Sequence, residues 1–309
     1  MNKKTITALY TAGVFCLTLI ILLHPAECLV FSLNGLNLWF QKMIPALFPF
    51  MVLSGVMIRM NLTDSFVKLL SPVLQPLFRL QSPCIYVIFA GFLCGFPMGA
   101  HVTAQLYGRK QISRKEAEFL LAFCNNIGPV YFISYALPAI GITASPVAFL
   151  FGMYGLPFIY GLFLRYTLFS KSIPFTKNSL YTNKMSADAL PFLAALDESV
   201  TSALLSIARL GGYMIFFNLL NIIPVQYLPG QFQGFISCIL EISGGLQLLH
   251  NSSPVFALCA LSFGGLSCLA QTYSMIHESG LSIKNYVFHK AILTAFSLFY
   301  YGVLASKAF

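Results

Sequence analysis

The chain has 309 residues, 58% of them hydrophobic and only 9% charged, with a mean hydropathy of +0.79. One soluble domain of this size does not need so much apolar sequence, and runs of about 18 or more apolar residues read as membrane spans, so a soluble class is excluded. The formal charge of +9 comes from 18 basic residues spread between apolar runs; that pattern fits orientation signals and not a nucleic-acid patch.

The chain opens with Lys3-Lys4 and an apolar run to Leu23. His24-Pro25-Ala26-Glu27-Cys28 is a poor cleavage context because Glu27 is not small, so the run is expected to remain as a first span with a cytoplasmic N-terminus. Cys28 to Lys42, which holds the single Trp39, mixes polar and apolar residues and is expected to form an interfacial or partly buried helix. Ile44 to Ile58 is a continuous apolar span with Pro45 and Pro49 in its first turns. Leu62 to Leu80 is amphipathic, with Lys68 and Arg79 set among Leu and Phe. Ala90 to Gln105 then runs as a membrane segment that is interrupted by Gly95-Phe96-Pro97-Met98-Gly99 and resumes through His101, Thr103 and Gln105. Gly99 tolerates unusual φ and Pro97 cannot donate to the helical ladder, so a helix break is expected inside the bilayer. The bland alternative is an ordinary Gly/Pro kink.

Ser113 and Glu116 have the spacing of a capping box and predict a helix start. That helix runs into a second polar break, Asn125-Asn126-Ile127-Gly128-Pro129. Ser145 to Phe169 reads as a further span. Phe169 to Pro191, with Lys171, Lys177 and Lys184 against Asp188, is the longest polar segment and the best boundary. Past it the order of segment types restarts: amphipathic Asp197–Leu210, apolar Gly211–Ile223, Gln231–Leu249 with Glu241 inside it, and Val255–Ile276. The two halves lie about 170 residues apart in register. Pro83 pairs with Pro254, Gly95 with Gly264 or Gly265, His101 with Gln271, and Ser113 with Ser282. Matched interruptions in duplicated membrane halves point to a transport site. The connector after the first break is net basic (Arg109, Lys110, Arg114, Lys115 against Glu116, Glu118), whereas Glu278 and Lys284 leave the second neutral. The positive-inside bias then places the connectors on opposite sides, as inverted repeats require.

Glu241 is the sharpest candidate, because an ionisable group deep in an apolar segment is costly and functional by default. The alternative is a structural carboxyl, protonated or paired with Arg209. Asn125 and Asn126 offer amides at a helix end, or simply cap it. His101 and Gln271 occupy equivalent places after the two breaks, and a lone membrane His is more often a packing group than a ligand. The eight cysteines are scattered, with no C-x-x-C pair, and read as small apolar residues. His277-Glu278 lacks the second His of a zinc site, and no nucleophile motif appears.

The stretches WFQKMIPALFPFMVLSG, GFPMGAHVTAQLYGRKQISRKEAEFLLAFCNNIGPVYFI, LEISGG and FGGLSCLAQ together resemble the YlbJ-type sporulation integral membrane proteins, which belong to the nucleoside-recognition or Gate-domain membrane proteins. The resemblance runs in order from Gly35 to Tyr301 and is most specific at Gly-Phe-Pro-Met-Gly and Asn-Asn-x-Gly-Pro. It implies a plan similar to concentrative nucleoside transporters, with inverted repeats and re-entrant hairpins. Sporulation members are implicated in moving dipicolinic acid across a forespore membrane.

The expectation is an all-α integral membrane protein of the bacterial cell membrane, multi-pass and not an enzyme. Its parts would be a first helix (1–25), a first repeat (26–170), a basic linker (171–190) and a second repeat (191–309). It would carry a small aromatic anionic solute, with dipicolinic acid as the first candidate and a nucleoside-type solute or a non-transporting scaffold as alternatives. The solute site would draw on Gly95, Phe96, Pro97, Met98, Gly99, His101, Asn125, Asn126, Gly128 and Pro129 from one half. Glu241, Ser243, Gly264, Gly265, Ser267 and Gln271 would supply the other. No cofactor or bound metal is expected beyond a coupling proton or sodium ion. The partners are the solute and membrane lipid, with a homo-oligomer left open and no nucleic acid.

Overall fold

The computed structural model describes residues 3–142, 146–173, 189–249 and 253–308, and every regular element among them is a helix. Lys177, Lys184 and Asp188 of the expected basic linker lie outside the described residues. Among the described residues, six helices are long and apolar enough to cross a membrane: Lys4–Leu23, Pro25–Arg59, Val147–Tyr166, Phe192–Tyr227, Pro254–Ser279 and Ile283–Ser306. A seventh crossing arises if Ser71–Phe78 and Ser82–Leu93, bent by 104°, count as one span. The first helix exposes Leu9, Tyr10, Val14, Phe15 and Leu22, so its apolar surface is left for lipid.

Two expected boundaries disappear. Cys28–Lys42 and Ile44–Ile58 are not separate elements but parts of one 35-residue helix, Pro25–Arg59. Pro45 has no N–H for the carbonyl four residues back. The chain absorbs this in a π turn over Trp39–Met43, where the Ile44 N–H reaches five residues back to the Trp39 carbonyl. In the second half, Asp197–Leu210 and most of Gly211–Ile223 likewise fuse into Phe192–Leu219. These two long helices pack on each other through a seam of small residues, the usual membrane solution where the hydrophobic effect is absent. Gly35 sits against the Met214 and Ile215 backbone, and the Trp39 indole covers Gly211. Trp39 Nε1 donates to the Ile207 carbonyl (2.8 Å), and Arg59 pairs with Glu198 (3.1 Å) at the end of the seam.

Elsewhere local chemistry shows directly. Leu62–Leu80 becomes two short helices, Thr63–Val67 and Ser71–Phe78, the second stopped by Arg79 in the left-handed region (φ 50°). The capping box forms: Glu116 N–H donates to Ser113 Oγ (3.2 Å) and Ser113 N–H to Glu116 Oε2 (2.7 Å), opening Arg114–Leu121. Arg165, buried, donates to the carbonyls of Phe78 (2.7 Å), Arg79 (3.1 Å), Phe169 (3.2 Å) and Ile173 (2.9 Å). The guanidinium donates both to the carbonyls ending Ser71–Phe78, where the helix dipole is negative, and to carbonyls of the turns after Tyr166. Gln231–Leu249, expected as one stretch, splits at Glu241 into Gly230–Leu240 and Ile242–Leu249.

Candidate functional site

Three helix interruptions meet inside the protein. Ser82–Leu93 stops at Cys94, and the chain turns through Gly95 (φ 90°) before Met98–Gly108 begins. Only glycine adopts that φ without strain. Gly95 lies directly on the second break: a Cβ there would stand 2.6 Å from the Gly128 nitrogen. Gly128 and Pro129 in turn start the helical stretch at 129–139. The third interruption is Gly264 (φ 95°), between Pro254–Phe263 and Gly265–Ile276. The Phe96 ring lies against it, 3.1 Å from where a Gly264 Cβ would be.

Around this junction is a cavity of about 390 Å³, within the size range of small-molecule sites. Its walls are largely apolar, with Leu47, Phe50, Leu93, Met214 and Leu261 among them. Its polar lining is sparse: Lys42, Tyr131, Ser134, Tyr135, Glu241, Ser243 and Gln271. Tyr131 OH donates to Ser243 Oγ (2.8 Å), and Tyr135 OH to the Ser243 carbonyl (3.0 Å). Gln271 Nε2 donates to Ser267 Oγ (3.0 Å). Glu241, 2% exposed, breaks its helix in extended geometry (φ −144°, ψ 117°), and its Oε2 accepts from the Gly244 N–H (2.7 Å). Arg209, the partner considered for it, faces Glu278 instead (3.7 Å).

Of the residues expected at the site, Gly95, Phe96, Gly128, Glu241, Ser243, Gly264 and Gln271 line the cavity. Pro97, Met98, Gly99, His101, Asn125, Asn126, Pro129, Gly265 and Ser267 do not line it. Asn125 is occupied as a strut between distant segments. Its Oδ1 accepts from Ala100 N–H (3.4 Å), and its Nδ2 donates to Thr272 Oγ1 (2.9 Å) and Tyr286 OH (3.1 Å). Asn126 Nδ2 donates to the Phe123 carbonyl (2.7 Å). His101 is buried on the helix past the first break.

Lys290 was missed. It is 2% exposed, and its Nζ donates to Asn126 Oδ1 (3.3 Å) and the Ser262 carbonyl (3.2 Å), 4.6 Å from the centre of the Phe96 ring. It touches all three interruptions, and no carboxylate among the described residues pairs with it. An ionisable residue well inside a long apolar helix was the available signal, the same one that marked Glu241. Lys290→Met orphans two acceptors, at about 1–3 kcal/mol each, but relieves an unpaired buried ammonium whose desolvation costs a comparable several kcal/mol. The unfolding midpoint in detergent is therefore expected to hold. A clear fall would mean that the tether itself outweighs the cost of the buried charge.

All eight cysteines are free, and among the described residues no group of three or more His, Cys, Asp or Glu could hold a metal ion. The family model described as Gate, nucleoside recognition, matches residues 40–146, which contain the first two interruptions. The chain is similar to the sporulation integral membrane protein YlbJ of Bacillus subtilis (strain 168). The two are 26% identical over 329 aligned residues, covering 92% of this chain and 79% of the relative. No solved structure matches it.

Proposed function

We propose, from the premise that this chain belongs to the YlbJ-like family of Gate-domain membrane proteins, that it is a transporter or facilitator passing a small solute through the cavity between its broken helices. It is a multi-pass bacterial membrane protein. The observation that carries the reading is the junction itself. Non-helical backbone at membrane depth is tolerated only where protein covers it or a cavity needs it, and here three interruptions share one cavity. A scaffold would have no use for Glu241 and Gln271 turned inward onto a cavity.

In this reading the halves 26–170 and 191–309 are inverted repeats joined through 171–190, a plan like that of concentrative nucleoside transporters. The helix–break–helix units Ser82–Gly108 and Pro254–Ile276 correspond, and each contributes its tip to the junction. The solute is an aromatic, nucleoside-like molecule. Apolar walls and Phe96 would face its ring, while Glu241, Ser243 and Gln271 would meet its polar edge. The family description, nucleoside recognition, supports this assignment. One observation favours a second: Lys42 on the cavity and Lys290 behind Phe96 outnumber Glu241, and that balance suits an aromatic dicarboxylate such as dipicolinate.

Protein reconstituted in liposomes, loaded or bathed with radiolabelled uridine, adenosine or dipicolinate, tests the reading. Saturable flux of at least one of these over empty liposomes is expected, and the solute that moves decides between the two assignments. Flux of none of them, with protein shown to be folded and inserted, would overturn the proposed solute class.

A further inference from the structure

The 104° bend between Ser71–Phe78 and Ser82–Leu93 fixes how the chain enters the first break. Ser82–Leu93 leads inward, since Leu93 and Cys94 at its far end line the solute cavity. A helix nearly perpendicular to it runs along the membrane surface and not through the bilayer. The elbow is held firmly. Phe66 packs edge-to-face on Tyr86 and Phe89 of the inward helix, and Phe78 stacks on Phe123. Tyr166 OH donates to the Leu77 carbonyl (2.7 Å), and Arg165 holds the two carbonyls that follow.

This leaves two unlike surfaces side by side. Leu69, Val73 and Leu77, at four-residue spacing, turn outward, with Leu69 87% and Val73 67% exposed. On the adjoining flank Ser71 and Gln75, also four apart, join Lys68, Pro72, Pro76 and Ser82 around an open groove of about 460 Å³. The groove shares no residue with the solute cavity. Among the described residues, no hydrogen bond or ion pair engages the side chains of Lys68, Ser71, Gln75 and Ser82. The leaflet that the elbow meets follows from its neighbours. Gln81, between the two helices, donates to the Gln111 carbonyl (3.4 Å) and to Glu116 Oε1 (2.9 Å), both in the basic connector. Basic connectors stay on the cytoplasmic side, where the leaflet carries anionic lipid. Two more exposed cations stand at the elbow, Arg79 and Lys171, because Arg165 ties the Arg79 carbonyl to those of Phe169 and Ile173. Asp64, the acid nearest in sequence, belongs to the other short helix, Thr63–Val67.

We infer that the groove beside Ser71–Phe78 binds one anionic phospholipid of the cytoplasmic leaflet. Lys68 meets the charge of the phosphate, while the Ser71 and Ser82 hydroxyls and the Gln75 amide donate to its oxygens. Leu69 and Val73 continue the site toward the acyl chains. The combination decides the occupant. A free phosphate gains nothing from the apolar ridge, and a zwitterionic headgroup brings its own ammonium up to Lys68. The site lies outside the solute path and does not depend on which solute the cavity takes.

The test uses the purified full chain in detergent, without solute. Dioctanoyl phosphatidylglycerol, dioctanoyl phosphatidylcholine and free glycerol phosphate are titrated separately, with the unfolding midpoint and native mass spectrometry as readouts. A ligand that binds only the folded state raises its stability by mass action. Phosphatidylglycerol should raise the midpoint saturably and remain bound, and neither of the other two should. Lys68→Gln should weaken its binding about 5-fold, the weight of one cation near an anionic surface, and Lys68→Arg should restore it. Leu69→Ser combined with Val73→Ser should weaken it as well. These positions are exposed, so folding is not at stake. Lys284→Gln removes an exposed cation that does not line the groove and should change nothing. Equal binding of the two lipids by the unaltered protein overturns the site. So does glycerol phosphate binding as tightly as the lipid, which would make this a free-anion site. A Lys68→Gln variant that matches Lys284→Gln also overturns it, because the attraction would then be diffuse. Since no solute is present, none of these outcomes bears on the transport reading, and absence of flux would leave the lipid site standing.

Discussion

Gly91→Ala and Gly99→Ala should each leave little folded protein to extract from the membrane. In both cases the new methyl would overlap the carbonyl of Cys124, which is backbone and cannot swing aside. The two glycines stand on opposite arms of the first break, Ser82–Leu93 and Met98–Gly108, and both press on that one carbonyl. Overpacking of an ordinary core costs about 1–3 kcal/mol because side chains repack. A clash with fixed backbone between three segments should exceed about 4 kcal/mol, the range reserved for gross structural insults. Since native proteins hold only about 5–15 kcal/mol in all, abundance and monodispersity on size-exclusion should collapse. Gly13→Ala and Gly302→Ala, which meet nothing within 4 Å, serve as controls and should behave as the unaltered protein does. Normal yields of Gly91→Ala and Gly99→Ala would mean that the first break does not wrap the second as described.

Glu241→Gln should insert and accumulate normally while solute flux falls at least about 10-fold. The substitution keeps the shape and an acceptor for the Gly244 N–H (2.7 Å), so the local fold around Ile242–Leu249 is retained. What it removes is the charge. A hydrogen bond to a charged group contributes about 1.5–3 kcal/mol, and each 1.4 kcal/mol is a factor of about 10 in an equilibrium constant. Flux per unit of protein in liposomes, with abundance matched by quantitative blotting, measures the effect. Equal flux in Glu241→Gln would make the carboxylate structural and move the solute path away from the cavity that it lines.

Gly99 was expected to take the unusual φ of the first break, but the positive φ (90°) falls on Gly95, and Gly99 is an ordinary helical residue of Met98–Gly108. It was expected at the solute site because it sits in the Gly-Phe-Pro-Met-Gly break; in the structure it is packed under Cys124, and the cavity takes Gly95 and Phe96 from the same break. Asn125 is similar. Its place at a helix end was legible, but its amide is used up by Ala100, Thr272 and Tyr286.

Features that depend on a few consecutive residues were determined by the sequence itself. Apolar runs specified the long helices because a bilayer rewards length and apolarity locally. The breaks at Gly95 and Gly264 followed from glycine's access to positive φ, and the Ser113–Glu116 capping box from side chains three residues apart. The tertiary structure decided what depends on partners far along the chain. It merged Cys28–Lys42 with Ile44–Ile58 through a π turn, because the seam with Phe192–Leu219 holds that helix continuous. It brought Phe96 onto Gly264, Lys290 onto Asn126 and Asn218 onto Gly244, pairs whose members belong to different segments. A buried polar group in a membrane must find a partner, but nothing in its own segment says which of several distant groups that partner will be. Only the packed helices settle it.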